Sequence, residues 1–270
     1  MVELFGPIIS QKQALNPGDL RSSCLSGSPE RPGINHNQVV QEWMCLYQTT
    51  QAAYEQSRTL QMLLRPFLPH TTWREAIGIA QRGERTFPTK TRVASILRLD
   101  IEGFTEICDN HPLADVLTEL NLYLERPTQI VYRYQGDINK YLGDGFLSVF
   151  DEAEDAVRAG CEIQQTVADF NQRQAVSGRI CFHTRIGIDT GQVAVVNLGS
   201  AARQDRTVIG MPVNLADRLQ AETPVGRVWL SQATFNQLRI QTGYRQVGSV
   251  SVKGRRAPVS IYEKRIEQNI

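Results

Sequence analysis

An apolar run that ends on a carboxylate with glycine close behind is the feature that most restricts this chain. Val93-Ala94-Ser95-Ile96-Leu97-Arg98-Leu99 reads as a mostly buried strand, and Asp100 closes it, with Gly103 just beyond. Asp144 sits between Gly143 and Gly145 in a tight turn that leads into Phe146-Leu147-Ser148-Val149-Phe150. Taken singly, such aspartates more often cap a strand end or form a turn. Together they make a candidate two-carboxylate site for Mg²⁺ or Mn²⁺, hard cations that usually accompany a phosphate-bearing substrate. Gly103 lets the backbone approach a ligand, and its turn can aim amide hydrogens at phosphate oxygens.

Around these segments the pattern predicts an α+β chain. Strand 93–100 precedes a helix-loop-helix region up to Tyr134, and a hairpin spans 138–150. Helix 152–174 follows, with Ala156, Ala159, Ile163, Val167 and Phe170 on one face. Strands at 179–188, 192–197 and 207–209, a helix from Pro212 to Ala221, strand 226–231, a short helix at 232–239 and strands 244–252 and 258–264 complete the chain. Two helices and a hairpin around a sheet give a ferredoxin-like βαββαβ core with C-terminal additions, preceded by an N-terminal helix.

Upstream, residues 1–37 are rich in turn dipeptides and poor in apolar residues, so they are expected to be flexible. Val39, Trp43, Leu46, Thr50, Ala53, Ser57, Leu60 and Leu64 recur at alternating intervals of four and three, the spacing of a coiled-coil seam. Thr50 and Ser57 weaken it, and a surface helix packed on its own domain fits the same residues. Arg65-Pro66-Phe67-Leu68-Pro69 breaks the helix, and 73–80 reads as a short second one. The expected organisation is therefore 1–37 flexible, 38–90 helical and connecting, and 91–266 a catalytic domain.

Composition narrows the partners. A net charge of +1 with mixed signs gives no reason to propose nucleic acid or an anionic membrane surface. No segment reaches the roughly 20 apolar residues of a membrane span, and the start lacks a basic, cleavable leader pattern, so a cytoplasmic protein is expected. The five cysteines are widely spaced, without metal-ligand grouping, and read as reduced thiols.

Leu99-Asp100-Ile101-Glu102-Gly103-Phe104-Thr105 and Asn139-Lys140-Tyr141-Leu142-Gly143-Asp144-Gly145 resemble class III nucleotidyl cyclase catalytic domains of bacterial type. Segments 185–193, 197–200, 207–219 and 252–255 continue the resemblance in the family's order, over about 93–264. It implies a cyclase that converts a nucleoside triphosphate to the 3′,5′-cyclic monophosphate and pyrophosphate. Asp100 and Asp144, with the Ile101 carbonyl, would bind two Mg²⁺ or Mn²⁺ ions per active site. Gly103, Phe104 and Thr105 would cradle phosphate through their amides, with Arg185 and Lys253 on the outer phosphates. Asn214 would position the ribose, and Arg218, four residues on along the same helix face, would stabilise charge on the α-phosphoryl group.

Lys140 matches the position that reads the base and favours ATP. Met211 stands where the family commonly has an acceptor, and a thioether accepts only weakly, which leaves GTP or a pyrimidine nucleotide open. The resemblance also implies a head-to-tail homodimer, with the carboxylates from one chain and Lys140, Met211, Asn214, Arg218 and Lys253 from the other. The alternative is a catalytically degenerate cyclase-homology domain that binds nucleotide or dimerises as a regulatory module. Residues 1–90 hold no obvious sensor domain, and an unidentified regulatory partner is allowed for.

Overall fold

The structure, a computed structural model, describes residues 36–251 and 258–264. The expected flexible segment, apart from its last two residues, and Lys253 lie outside the described residues. The chain divides into two compact units between Leu63 and Leu64.

The first unit is described by helix α1 (His36–Leu64). Along its predicted seam Trp43, Leu46 and Leu60 are exposed. Thr50 tolerates its place there because its hydroxyl donates back to the Leu46 carbonyl at 2.7 Å.

The second unit opens with a 3₁₀ turn at Arg65–Phe67 and helix α2 (His70–Gln81). Helix α2 starts at His70 rather than at residue 73 because its cap comes from far along the chain. The buried Asp137 carboxylate accepts from the amides of His70 (2.9 Å) and Thr71 (2.8 Å) and from the Thr71 hydroxyl. These are orphan donors of a first helical turn, with no acceptor inside the helix.

Next come β1 (Lys90–Ile101), α3 (Phe104–Asn110), α4 (Leu113–Arg133), β2 (Asp137–Leu142), β3 (Gly145–Phe150), α5 (Ala153–Val176) and β4 (Thr184–Gly199). Then β5 (Gln204–Ile209), α6 (Met211–Glu222), β6 (Val228–Ser231), α7 (Gln232–Gln237), β7 (Tyr244–Val250) and β8 (Val259–Lys264) complete it. The eight strands form one sheet in the order β2-β3-β1-β4-β6-β8-β7, with β5 also paired to β4. Strands β1 to β4 with their helices are the expected βαββαβ core. All its pairings are antiparallel, and the parallel β4–β6 contact begins the C-terminal addition.

Strand β4 corrects the sequence reading. The expected strands at 179–188 and 192–197 are one continuous element, and residues 179–183 precede it. Gly191 is not a break: Ala94 pairs with it across the ladder, and a Cβ there would lie 3.0 Å from the Pro212 ring. The glycine makes room for α6, a tertiary reason that resembles a turn signal in sequence.

The sheet has two apolar faces, separated by strand alternation. Leu97, Leu99 and Ile101 pack with Val116, Tyr123 and Ile163 from α4 and α5. Ala94 and Ile96 point the other way, with Leu147, Val193, Val208 and Ala216 of α6. Arg98 and Asp100 continue this second row. The alternation therefore places the first candidate carboxylate on the α6 side of the sheet.

Candidate active site

Asp100 stands at the end of β1, and Asp144 in the turn between β2 and β3. Their approach depends on Gly145, where a Cβ would fall 2.1 Å from the Leu99 carbonyl oxygen and 2.9 Å from the Asp100 Cα. No larger residue lets the hairpin close so tightly on the strand end. The Asp144 carboxylate accepts from the Ile101 amide at 3.2 Å, which ties the turn to the residue after Asp100. Burial pushes the Asp100 pKa up and the Asp144 charge adds to the effect, while Arg98 and Arg185 oppose it.

Arg185 lies opposite Asp100 in the β1–β4 register. Its guanidinium is 3.6 Å from Asp100 and 2.5 Å from Glu102, and its buried Nε has no hydrogen-bond partner among the described residues. The residue expected to meet outer phosphates is thus held at the site's rim by carboxylates. Gly103 adopts φ 69°, a left-handed conformation suited to glycine, and caps α3. Behind it the amides of Phe104 and Thr105 open the helix, in the part of a helix where N–H groups lack an internal acceptor.

Three participants went unread in the sequence. Arg98 is 8 % exposed and links the site to α6, with Nε 3.2 Å from Asp217 and Nη2 3.5 Å from Asp100. It also donates to the Leu99 and Phe146 carbonyls at 2.7 and 3.3 Å. The available signal was a lone arginine inside an apolar strand, where a buried charge requires partners. Gln220, buried on α6, donates to Asp100 at 3.4 Å. Glu102 is visible only as a second acid beside Asp100.

The remaining candidates gather at α6 and β2. Gly187 lets α6 dock directly on β4, since a Cβ there would be 2.4 Å from the Ala216 carbonyl oxygen. Helix α6 then presents Met211, Asn214 and Arg218 outward, all exposed. Arg218 pairs with Glu222 one turn on at 2.7 Å, and no described contact joins it to Asp100 or Asp144. Lys140, on β2, is 2.5 Å from Asp205 on β5. One chain therefore unites Asp100, Asp144 and Arg185, and leaves Asn214 and Arg218 apart from them.

No group of three or more His, Cys, Asp or Glu side chains with metal-site geometry occurs among the described residues. The two carboxylates and the Ile101 carbonyl nonetheless fit a hard divalent ion in donor chemistry. They are oxygen donors, and burial with mutual repulsion leaves Asp100 short of positive charge despite its two arginines.

Residues 88–264 match the family described as the adenylate and guanylate cyclase catalytic domain, and the chain belongs to that family. It is 30 % identical over 173 residues to adenylate cyclase 1 of Rhizobium meliloti (strain 1021), a match covering 61 % of this chain and 26 % of that protein. It is also 30 % identical to an adenylate cyclase of Anabaena cylindrica, over 64 % of this chain and 37 % of the relative. The chain thus spans roughly a quarter to a third of the length of these curated relatives. The adenylyl cyclase CyaB from P. aeruginosa shares the fold at a TM-score of 0.63 and 29 % identity, covering 68 % of this chain and 98 % of that one. The guanylyl cyclase Cya2 gives 0.60 and 30 %, over 66 % and 94 %. The fold is that of the class III cyclases, as the sequence motifs implied.

Proposed function

We propose that the protein is a class III cyclase that converts ATP to 3′,5′-cyclic AMP and pyrophosphate, at two sites shared between two copies of the chain. The carrying observation is that β1 and the β2–β3 turn bring Asp100 and Asp144 together at Gly145, whereas α6 presents Asn214 and Arg218 away from them. A second copy, placed head to tail, supplies the missing half to each carboxylate pair.

In this reading Asp100, Asp144 and the Ile101 carbonyl hold two Mg²⁺ or Mn²⁺ ions, which when bound supply charge for the ribose 3′-oxygen and the triphosphate. The 3′-hydroxyl gives up its proton to water, and its oxygen forms a bond to the α-phosphorus. The bond from that phosphorus to the bridging oxygen breaks, and pyrophosphate leaves. Amides at Gly103, Phe104 and Thr105, with Arg185 and the partner chain's Lys253 position, steady the outer phosphates. Asn214 orients the ribose, and Arg218 exchanges Glu222 for the charge that develops on the α-phosphoryl group.

Residues 91–266 are the catalytic domain of this reading, and exposed apolar residues of α1 pair with those of the second copy. No described helix is long and apolar enough to cross a membrane. The reaction is placed in the cytoplasm, where its substrate is made and used.

Purified protein incubated with Mn²⁺ or Mg²⁺ and each of ATP, GTP, CTP and UTP tests the reading, with Asp100→Ala as control. Metal-dependent cyclic AMP absent from the control is the expected result. No product from folded, dimeric protein would favour the regulatory-module alternative, to which the exposed Met211 already lends support.

A further inference from the structure

We infer that the pocket where β6, β7 and β8 meet, beyond the end of α6, is a second anion site that holds pyrophosphate between Arg227 and Arg245 once it has left the reaction site. The inference rests on the proposed cyclase reading for the source of its ligand. The pocket itself follows from the geometry of this chain.

Strand register builds it. Trp229 on β6 and Arg245 on β7 both stand opposite Glu263 of β8, so the three side chains form one row across three strands. Residues paired across a ladder lie on one side of the sheet. Trp229 shows which side, because it packs with Leu215 and Leu219 of α6. Arg227, two residues earlier, shares that side. With Gln246 these residues line a cavity of about 540 Å³.

Its charges are unequal. Glu263, with a side chain 8 % exposed, is the one carboxylate among the lining residues and serves two guanidinium groups. Arg227 Nη1 is 3.2 Å from one of its oxygens, and Arg245 Nη2 is 3.6 Å from the other. A carboxylate so placed directs both arginines but neutralises only one, and each guanidinium has more N–H donors than the shared acid can take. The Arg227 and Arg245 side chains are 39 % and 56 % exposed, which leaves the unused donors open to a ligand.

The Trp229 indole adds another donor. Its Nε1 is buried and has no acceptor among the described residues, a cost that an entering oxygen removes. Arg245 and Gln246 are long and exposed, so an oxygen reaches the indole by displacing them. Many donors around few acceptors select an oxyanion. Strands β6 and β7 flank β8 at about 10 Å from each other, and their arginines approach Glu263 from opposite sides. A single phosphate satisfies one guanidinium, whereas a diphosphate gives each its own pair of oxygens.

Position ties the pocket to the reaction. Ile186 pairs with Val228 in the parallel β4–β6 ladder, and the Ile186 amide donates to the Arg227 carbonyl at 3.3 Å. Asp100, Arg185 and Arg227 therefore stand side by side across β1, β4 and the entry to β6. The residue assigned to the outer phosphates thus borders the first arginine of the pocket.

The test is calorimetric titration of the full chain with pyrophosphate in a chelator, which disables a metal-dependent reaction site. About one pyrophosphate per chain should bind, and orthophosphate about tenfold more weakly. Arg245→Gln, which leaves Glu263 paired with Arg227, should weaken pyrophosphate binding about tenfold or more. Trp229→Phe, which keeps a ring and removes the N–H, should weaken it about fivefold. Either variant decides the matter if the other does not fold by circular dichroism. Asp100→Ala should bind as wild type does. No binding by wild type, wild-type affinity in the folded pocket variants, or loss of binding in Asp100→Ala overturns the inference. Orthophosphate bound as tightly as pyrophosphate overturns the assignment to a diphosphate. Failure of the cyclase reading shows separately, as the absence of cyclic nucleotide from every triphosphate, because this titration needs no turnover.

Discussion

Asp100 stands at the end of β1, Asp144 in the β2–β3 turn and Arg185 near the start of β4, each partly covered and each tied to its neighbours. Met211, Asn214 and Arg218 stand on the outer side of α6, exposed, and the one described ion pair among them is a single-turn link to Glu222. The first group is assembled by strand register and by the close approach at Gly145, so folding one chain suffices to build it. The second has no contact with the first among the described residues. That division is what the proposed shared site rests on.

The strongest way to break this comparison is to separate the halves genetically. Asp144→Ala and Arg218→Ala should each lower activity by about a hundredfold or more, as for loss of a group acting on developing charge. Mixed in equal amounts and allowed to exchange, they should recover about a quarter of wild-type activity. Half of the dimers are then mixed, and both substitutions fall in one of their two sites. Cyclic-nucleotide assay of the mixture decides it, and no recovery would place both groups in a single-chain site.

Arg98 offers a second handle, because it joins the two halves within one chain. Arg98→Met should reduce stability by about 2 kcal/mol, less than for a fully buried pair because Asp217 is largely exposed. Urea unfolding measures this. A change well under half of that would mean that the link between strand and helix is incidental.

The smallest effect concerns charge at the carboxylate half without divalent ions. The folded-state pKa of Asp100 is raised by burial and by Asp144. Its contribution to stability is therefore present below the ordinary aspartate range and lost as pH rises through the folded value. Asp100→Asn should raise the unfolding temperature at pH 7 and leave it nearly unchanged at pH 3. Thermal unfolding in a chelator at both pH values checks the sign, and a lower unfolding temperature at pH 7 would contradict it.

Much of the core could be read from the residues. The alternation along residues 93–100, the Gly143-Asp144-Gly145 turn and the apolar stripe of residues 156–170 are local patterns, and they became β1, the hairpin and α5 with small shifts at the ends. The errors fell where a distant group decided a local outcome. Helix α2 begins early because Asp137 caps it, and β4 runs through Gly191 because Pro212 needs the space.

The sequence by itself determined the identity of the carboxylates, the order of the elements and, through several motifs in one order, the family. Those depend on residue type and spacing, which the chain carries openly. Only the tertiary structure decided that Arg98 and Gln220 reach Asp100, that Arg185 rests against Glu102, and that Lys140 meets Asp205. Apart from the Arg98–Asp100 contact, which lies within β1, each of these joins residues far apart in the chain, and its partner is chosen by packing geometry that no local pattern encodes.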